Sequence, residues 1–412
     1  MLGSNTTPQD SSARWRALTF LSIAELLALS LWFSATAVLP ALSREWQLGD
    51  GGRSGLTIAV QFGFIVGTLL SALGNLPDIY SSRSLMAASA ALGAVANAAL
   101  ALWVDDLKPA LALRFLIGIC MAGTYPPAMK IMATWFREGR GVALGILVGA
   151  LTVGSAAPHL IRGMTELRWR ETLLVASLMA LLSCILVVTL IEEGPHRFPA
   201  ARFDYRMAGA NFRERGLRLA CFGYFGHMWE LYAMWAWIGV FLSESLQSQG
   251  SRDYLGLHSS VATFLVIGLG ALGCYVGGVL SDRCGRTVVT IASMTISGLC
   301  AASIGLTFGA SPALTLSLAI MWGLAINADS AQFSTSVTEL SQPAYVGTAL
   351  TTQTCVGFAL TTISIWIIPQ LVREIGWRWA FSLLAVGPLL GVLAMSRLRA
   401  LPEALKLAGG RR

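Results

Sequence analysis

Twelve apolar runs follow one another along the chain, separated by short polar stretches, and nothing else in the sequence restricts its fold so much. A helix needs about 20 apolar residues to cross the hydrocarbon core of a bilayer. The runs meet that length at residues 17–39, 54–76, 85–104, 110–134, 141–161 and 172–191, then at 217–242, 259–280, 288–309, 313–334, 346–370 and 378–396. Of the residues, 55% are hydrophobic and 12% charged, whereas soluble domains carry about 25% charged residues. The expected solvent is therefore a lipid bilayer, and the expected fold class is an all-α membrane protein of twelve transmembrane helices.

The longest polar stretch, 192–216, holds Pro195, Pro199 and several arginines between the sixth and seventh runs. It divides the chain into a tail (1–16), a six-helix bundle (17–191), a linker (192–216), a second bundle (217–396) and a tail (397–412). Counting Lys and Arg by side places 19 with the termini and linker and 9 on the opposite side, with Arg114 inside a run. That bias predicts cytoplasmic termini and a cytoplasmic linker. The net charge of +7 is dispersed among these loops, so no nucleic-acid surface is expected. Arg14, Arg16 and Ala35-Thr36-Ala37 imitate a secretory signal, but the run is long and contains Glu25, which favours an uncleaved first helix. The seven cysteines form no CxxC pair or Cys/His cluster, so neither a disulfide framework nor a metal site is expected. No P-loop, HExxH or Ser/His/Asp arrangement with supporting context occurs. The chain reads as a non-enzyme without a cofactor.

Short segments recur between the halves. Gly74 and Asp78 match Gly278 and Asp282 at an offset of 204 residues. Arg168-Trp169-Arg170 matches Gly376-Trp377-Arg378 at 208, and Gly141-Val142-Ala143-Leu144 matches Gly347-Thr348-Ala349-Leu350 at 206. Nearly equal offsets argue for a duplicated unit in parallel orientation. The segment Gly278-Val279-Leu280-Ser281-Asp282-Arg283-Cys284-Gly285-Arg286 resembles the GxxxDRxGR loop signature of the major facilitator superfamily. That resemblance implies two pseudo-symmetric six-helix bundles and a cytoplasmic latch built from Gly278, Asp282, Arg283, Gly285 and Arg286. In the first half Gly74 and Asp78 are kept, but the second Gly-Arg is missing. Arg114 to Gly118 is similar to the family's RxxxG on its fourth helix. Gly145, Gly149, Gly154 and Pro158 resemble the glycine-rich fifth helix of antiporters, although Ala157 stands where their Gly-Pro pair has glycine.

Glu25, Arg114, Glu230 and Asp329 lie away from the ends of spans one, four, seven and ten. In the family those helices line the central cavity. An unpaired charge at mid-bilayer costs about 2.5–3.5 kcal/mol on insertion scales, so such residues are expected to be functional or paired. Helical spacing sets Trp32 on the stripe of Glu25, Tyr125 on that of Arg114, Trp237 on that of Glu230 and Trp322 on that of Asp329. His227 precedes Glu230 by three residues and is expected to hydrogen-bond it. The blander reading is interhelical pairing for the charges and core packing for the rings. Gln61 and Thr351-Thr352-Gln353-Thr354 are expected to bond across helices.

The resulting expectation is a monomeric secondary transporter in a cell membrane, with a bacterial inner membrane as the natural setting. It would work by alternating access, taking up a small organic anion or another small organic solute by symport with a coupling ion, the proton. Proton-driven efflux is the alternative. A channel or receptor-like protein is disfavoured because the intramembrane residues differ between the halves rather than forming a repeated ring.

Overall fold

The computed structural model describes residues 8–74, 76–136, 139–164, 167–196, 209–251, 253–342 and 345–411. The stretch 197–208 of the expected linker lies outside the described residues. Ten helices among the described residues are long and apolar enough to cross a membrane: Asp50–Leu73, Ser82–Trp103, Leu107–Trp135, Gly141–Met164, Trp169–Leu190, Ser259–Cys284, Arg286–Thr307, Pro312–Leu340, Val346–Ile375 and Trp377–Arg399. They correspond to spans two to six and eight to twelve. Span seven is one helix, Arg215–Ser248, whose aromatic and ionisable residues dilute its apolar character. Span one starts earlier than its hydropathy indicates, as Pro8–Leu29, so residues 8–16 belong to a helix and not to a tail. After a break it continues as Ser34–Ala37 and Leu39–Glu45.

Spans one, three, four and six pack around one another and span two packs on span four; in the second half spans seven, nine and twelve pack together and span eight packs on span ten. Span five lies along span eight, and span two along span eleven, and these two pairs join the halves. The close pairs within each half depend on missing side chains. A Cβ on Gly118 of span four would strike the carbonyl of Val60 on span two. The equivalent pair in the second half repeats this, where Gly323 of span ten sits on the carbonyl of Val266. Backbones meet there because glycine presents no side chain, as in other membrane helix pairs.

The duplication also shows at the end away from the termini. Trp169 Nε1 donates to Glu45 Oε2 at 2.6 Å, and Trp377 Nε1 donates to Glu244 Oε2 at 2.6 Å. Each half therefore ties the start of its last span to the end of its first through a tryptophan and a glutamate.

Spans one, four, eight and ten are interrupted: at 30–33, at Gly123-Thr124, at Leu269 and at Asp329. Spans five and eleven continue through Pro158 and Pro369. The last segment, Pro402–Gly410, is a turn of 3-10 type that folds back on the bundle, with Ala404 and Leu407 fully buried.

Candidate functional site

Arg114 donates into the break in span one and to span two. Its Nη1 donates to Leu31 O at 2.9 Å and Ser34 Oγ at 3.2 Å, its Nη2 donates to Trp32 O, and its Nε donates to Leu56 O at 3.2 Å. Asn97 extends this network by accepting from Ser34 Oγ and donating to Leu173 O and Ser177 Oγ. Arg114 is fully buried. Its planar fork suits several fixed acceptors, and here they are three backbone carbonyls and the Ser34 hydroxyl. The sequence placed Arg114 opposite three acids as a substrate group; the structure places it as the cap of a broken helix.

Glu230 is bonded at both oxygens. Trp322 Nε1 donates to Oε1 at 2.6 Å and Ser297 Oγ donates to Oε2 at 2.9 Å. The group thus ties spans seven, nine and ten inside the second half. Trp322 meets Glu230 rather than sharing a face with Asp329 alone, and Ser297 carried no signal in the sequence. His227 does not meet Glu230 as the spacing suggested. Its Nδ1 stands 3.0 Å from Asp329 Oδ1, and its Nε2 lies 3.2 Å from Ser330 Oγ. The reason is the interruption of span ten, which turns Asp329 toward span seven at the junction of Pro312–Ala328 and Ser330–Leu340.

Glu25 differs from the other acids. It is fully buried, and neither carboxyl oxygen has a hydrogen-bond partner among the described residues. Tyr125, at the start of the second segment of span four, is its electrostatic neighbour and is in turn a neighbour of Tyr224 on span seven and Cys274 on span eight. Next to Glu25, Leu26 packs against Gly154 of span five, the span that lies along span eight of the second half. Past the break in span one, Trp32 lies 5.0 Å from Phe64, 5.7 Å from Tyr232 and 5.7 Å from Phe358 between ring centroids, and Phe64 lies 4.3 Å from Phe358. Two of these rings come from each half. Gln61 and Gln353 are buried with both amide atoms unpartnered among the described residues, and Trp32 Nε1 is unpartnered too. Trp237 is elsewhere: its Nε1 donates to Ile365 O at 2.9 Å, and Arg53 lies 5.7 Å over its ring.

The loop signature occupies the end that carries the termini. Gly285 has φ +96°, a turn that only glycine makes freely. Arg286 is buried and forks onto Glu339, at 2.8 Å from Nε and 2.7 Å from Nη2, while Nη1 donates to Gln332 at 2.9 Å. Arg283 is exposed. Asp282 sits on the first turn of span five, so close that a Cβ on Gly141 would lie 2.5 Å from its Oδ1. Gly278 approaches the carbonyl of Gly141. Carboxylates are favoured at such helix starts. In the first half Gly74 closes span two, and the side chain of Asp78 lies outside the described residues. Gly347, the counterpart of Gly141, has no neighbour against its missing side chain. At this end, the described contact between spans five and eight is built on the second-half signature. Among the described residues no group of three or more His, Cys, Asp or Glu is placed to hold a metal ion.

The model of the Major Facilitator Superfamily matches residues 21–249 and 220–411. The chain belongs to this superfamily. Its fold matches that of the proton:xylose symporter XylE bound to 6-bromo-6-deoxy-D-glucose, with a TM-score of 0.73 over 94% of this chain and 96% of that one, at 14% identity. Among relatives, the puromycin resistance protein pur8 of Streptomyces alboniger is 31% identical over 42% of this chain and 35% of its own. The probable sulfoacetate transporter SauU of Cupriavidus necator is 26% identical over 42% of this chain and 43% of its own. The niacin transporter NiaP of Acinetobacter baylyi is 25% identical over 40% of this chain and 38% of its own. The chain thus spans less than half the length of each of these relatives. This major facilitator protein is a multi-pass membrane protein.

Proposed function

We propose that this protein is a secondary transporter that carries a small organic solute by alternating access of its two halves, coupled to protons, with its termini in the cytoplasm of a bacterial cell. The observation that carries the reading is the meeting of aromatic rings from both halves, Trp32 and Phe64 with Tyr232 and Phe358, deep inside the molecule. A site assembled from two bodies changes when they move relative to one another, which is the requirement for exposing it to each side in turn.

Within this reading a neutral or cationic solute is favoured over an anionic one. The buried cations among the described residues are Arg114 and Arg286, and both donate to groups of the protein itself. What remains for the solute is a carboxyl, two free amides and ring faces. This set favours export over uptake, because a proton and a solute with a donor group or positive charge compete for the same carboxyl. The His227–Asp329 contact is the second proton-active element in this reading.

The test begins with a thermal-shift screen of purified protein against organic cations, anions, amino acids and drugs, since a bound ligand stabilises the folded state. Each stabiliser is then followed in proteoliposomes with and without a pH gradient. Flux that depends on the gradient is expected for at least one stabiliser. Stabilisers that cross at the same rate with and without the gradient would contradict proton coupling.

A further inference from the structure

We propose that Trp32 and Trp235 recognise an uncharged aromatic solute by its carbonyl oxygen, which accepts from their two indole N–H groups when the solute lies between the halves. The inference rests on the transporter reading above and names the class of its solute.

Six tryptophans among the described residues are buried: Trp32, Trp169, Trp235, Trp237, Trp322 and Trp377. Four give their N–H to the protein, Trp169 to Glu45, Trp237 to the Ile365 carbonyl, Trp322 to Glu230 and Trp377 to Glu244, at 2.6–2.9 Å. Trp32 and Trp235, each 1% exposed, have no acceptor for theirs among the described residues. A buried indole N–H ordinarily finds a partner, and one left without it bears the full cost of desolvation. Both exceptions fall in one group of rings. Tyr232 lies 5.7 Å from Trp32 and 5.5 Å from Trp235, and Phe33 lies 5.8 Å from Trp235 and 6.2 Å from Tyr232. Trp32 belongs to the first half and Trp235 to the second, so a solute held between the halves meets a free donor on each.

The chemistry of the solute follows from these groups. An indole nitrogen only donates, and a carbonyl oxygen has two lone pairs with which to accept. The ring faces around both donors call for a flat apolar body. A carboxylate also accepts, but a buried anion needs a cation. Arg114 and Arg286, the buried arginines among the described residues, spend their donors on the protein. The nearby polar side chains carry no compensating charge. Gln61 lies between Thr57 and Phe64 on one stripe of span two, and Thr57 bonds Thr36 of span one at 3.0 Å. His159 reaches Gly239, one turn past Trp235, with Nε2 unpartnered and no acid paired with it among the described residues; a buried imidazole in that position is held neutral.

The probe is fluorenone, with fluorene, the same ring body without the carbonyl, as its control and fluorene carboxylate as the anionic rival. Equilibrium binding to the purified full-length protein in nanodiscs is measured above the background of empty nanodiscs. Fluorenone is expected to bind at least about tenfold more tightly than fluorene, as one or two hydrogen bonds allow. Trp32→Phe and Trp235→Phe keep an aromatic face and remove the N–H. Each should weaken fluorenone and leave fluorene within about twofold, which shows an intact ring site. Trp237→Phe removes an N–H that the protein already uses and should leave the preference for fluorenone unchanged. The indole vibrational band that reports N–H bonding should shift with fluorenone and stay in place with fluorene. Absence of fluorenone binding, equal binding of fluorenone and fluorene, tighter binding of fluorene carboxylate, or an unchanged preference in both Trp32→Phe and Trp235→Phe would each overturn the proposal. Failure of the transporter reading itself would appear separately, as absence of opposed movement at the two ends of the molecule.

Discussion

Two side chains with the same sequence signature, a charge inside a membrane span, turn out to have opposite surroundings. Arg114 makes four hydrogen bonds to the protein, and Glu25 makes none among the described residues. Position deep inside a span was legible from the sequence. Partnership was not, because it depends on where span one breaks, and Leu29-Ser30-Leu31-Trp32-Phe33-Ser34 contains no proline or glycine to announce a break. If Arg114 is a cap, Arg114→Leu removes four buried hydrogen bonds and strips the Trp32 carbonyl of its donor, and should destabilise the protein by about 1–3 kcal/mol. Unfolding in mild detergent reports this, and Arg114→Lys should rescue poorly because a single ammonium does not reproduce the fork. Normal stability of Arg114→Leu would return the residue to the list of solute contacts. Glu230 invites a different expectation. Its two bonds join three helices of one half, so Glu230→Gln, which can accept from only one of the two donors, should lower thermal stability and leave coupling to Glu25 and the His227–Asp329 pair. Loss of gradient-driven flux with unchanged stability would show that Glu230 carries the proton.

Among the helices, the interrupted spans one, four and ten carry Glu25, Tyr125 and Asp329, while the continuous spans two, seven and eleven supply Phe64, Tyr232 and Phe358. The sequence announces the break in span four, where Gly123 and Thr124 precede Pro126 and Pro127. It gives weaker notice at Asp329-Ser330, and the contact of His227 with Asp329 rather than Glu230 followed from missing that junction. The second-half signature was legible as a motif, but its partners, Gly141 on span five and Glu339 on span ten, lie far away along the chain. The latch also has a cover that hydropathy did not reveal. Pro402–Gly410 brings the Ala408 amide to Glu339 Oε2 at 3.0 Å, and Arg411 donates to the Asp282 carbonyl. Asp282→Asn removes the charge from the start of span five, and Gly141→Leu drives a side chain into Asp282. Both should loosen the contact between halves, with normal membrane abundance and faster labelling of a cysteine placed at Leu144 than in the parent. Equal labelling rates would mean that the signature does not hold the halves together. Leu407→Asp, which strips the cover by charging a buried position, should act in the same direction with a smaller change.

Across the whole molecule, two features of the sequence predicted the architecture: the spacing of apolar runs and three short repeats at nearly one offset. Both arise from covalent duplication and from bilayer thickness, so they survive without knowledge of contacts. The 19 to 9 division of Lys and Arg further predicts that both termini face the cytoplasm. Reporter fusions at residue 205 and at the C-terminus should be active only with a cytoplasmic reporter, and periplasmic activity at either point would reverse the orientation. Alternating access is the central claim, and it requires the two ends to move in opposite senses. Spin labels at Ser81→Cys and Cys284 mark the end that carries the termini, and labels at Lys108→Cys and Glu374→Cys mark the other, in a background without other cysteines. Pulsed distance measurements on the two pairs in lipid nanodiscs, at acidic and alkaline pH, are the most direct test. Lengthening of one distance with shortening of the other is the predicted result; two distances that stay fixed, or that lengthen together, would contradict it.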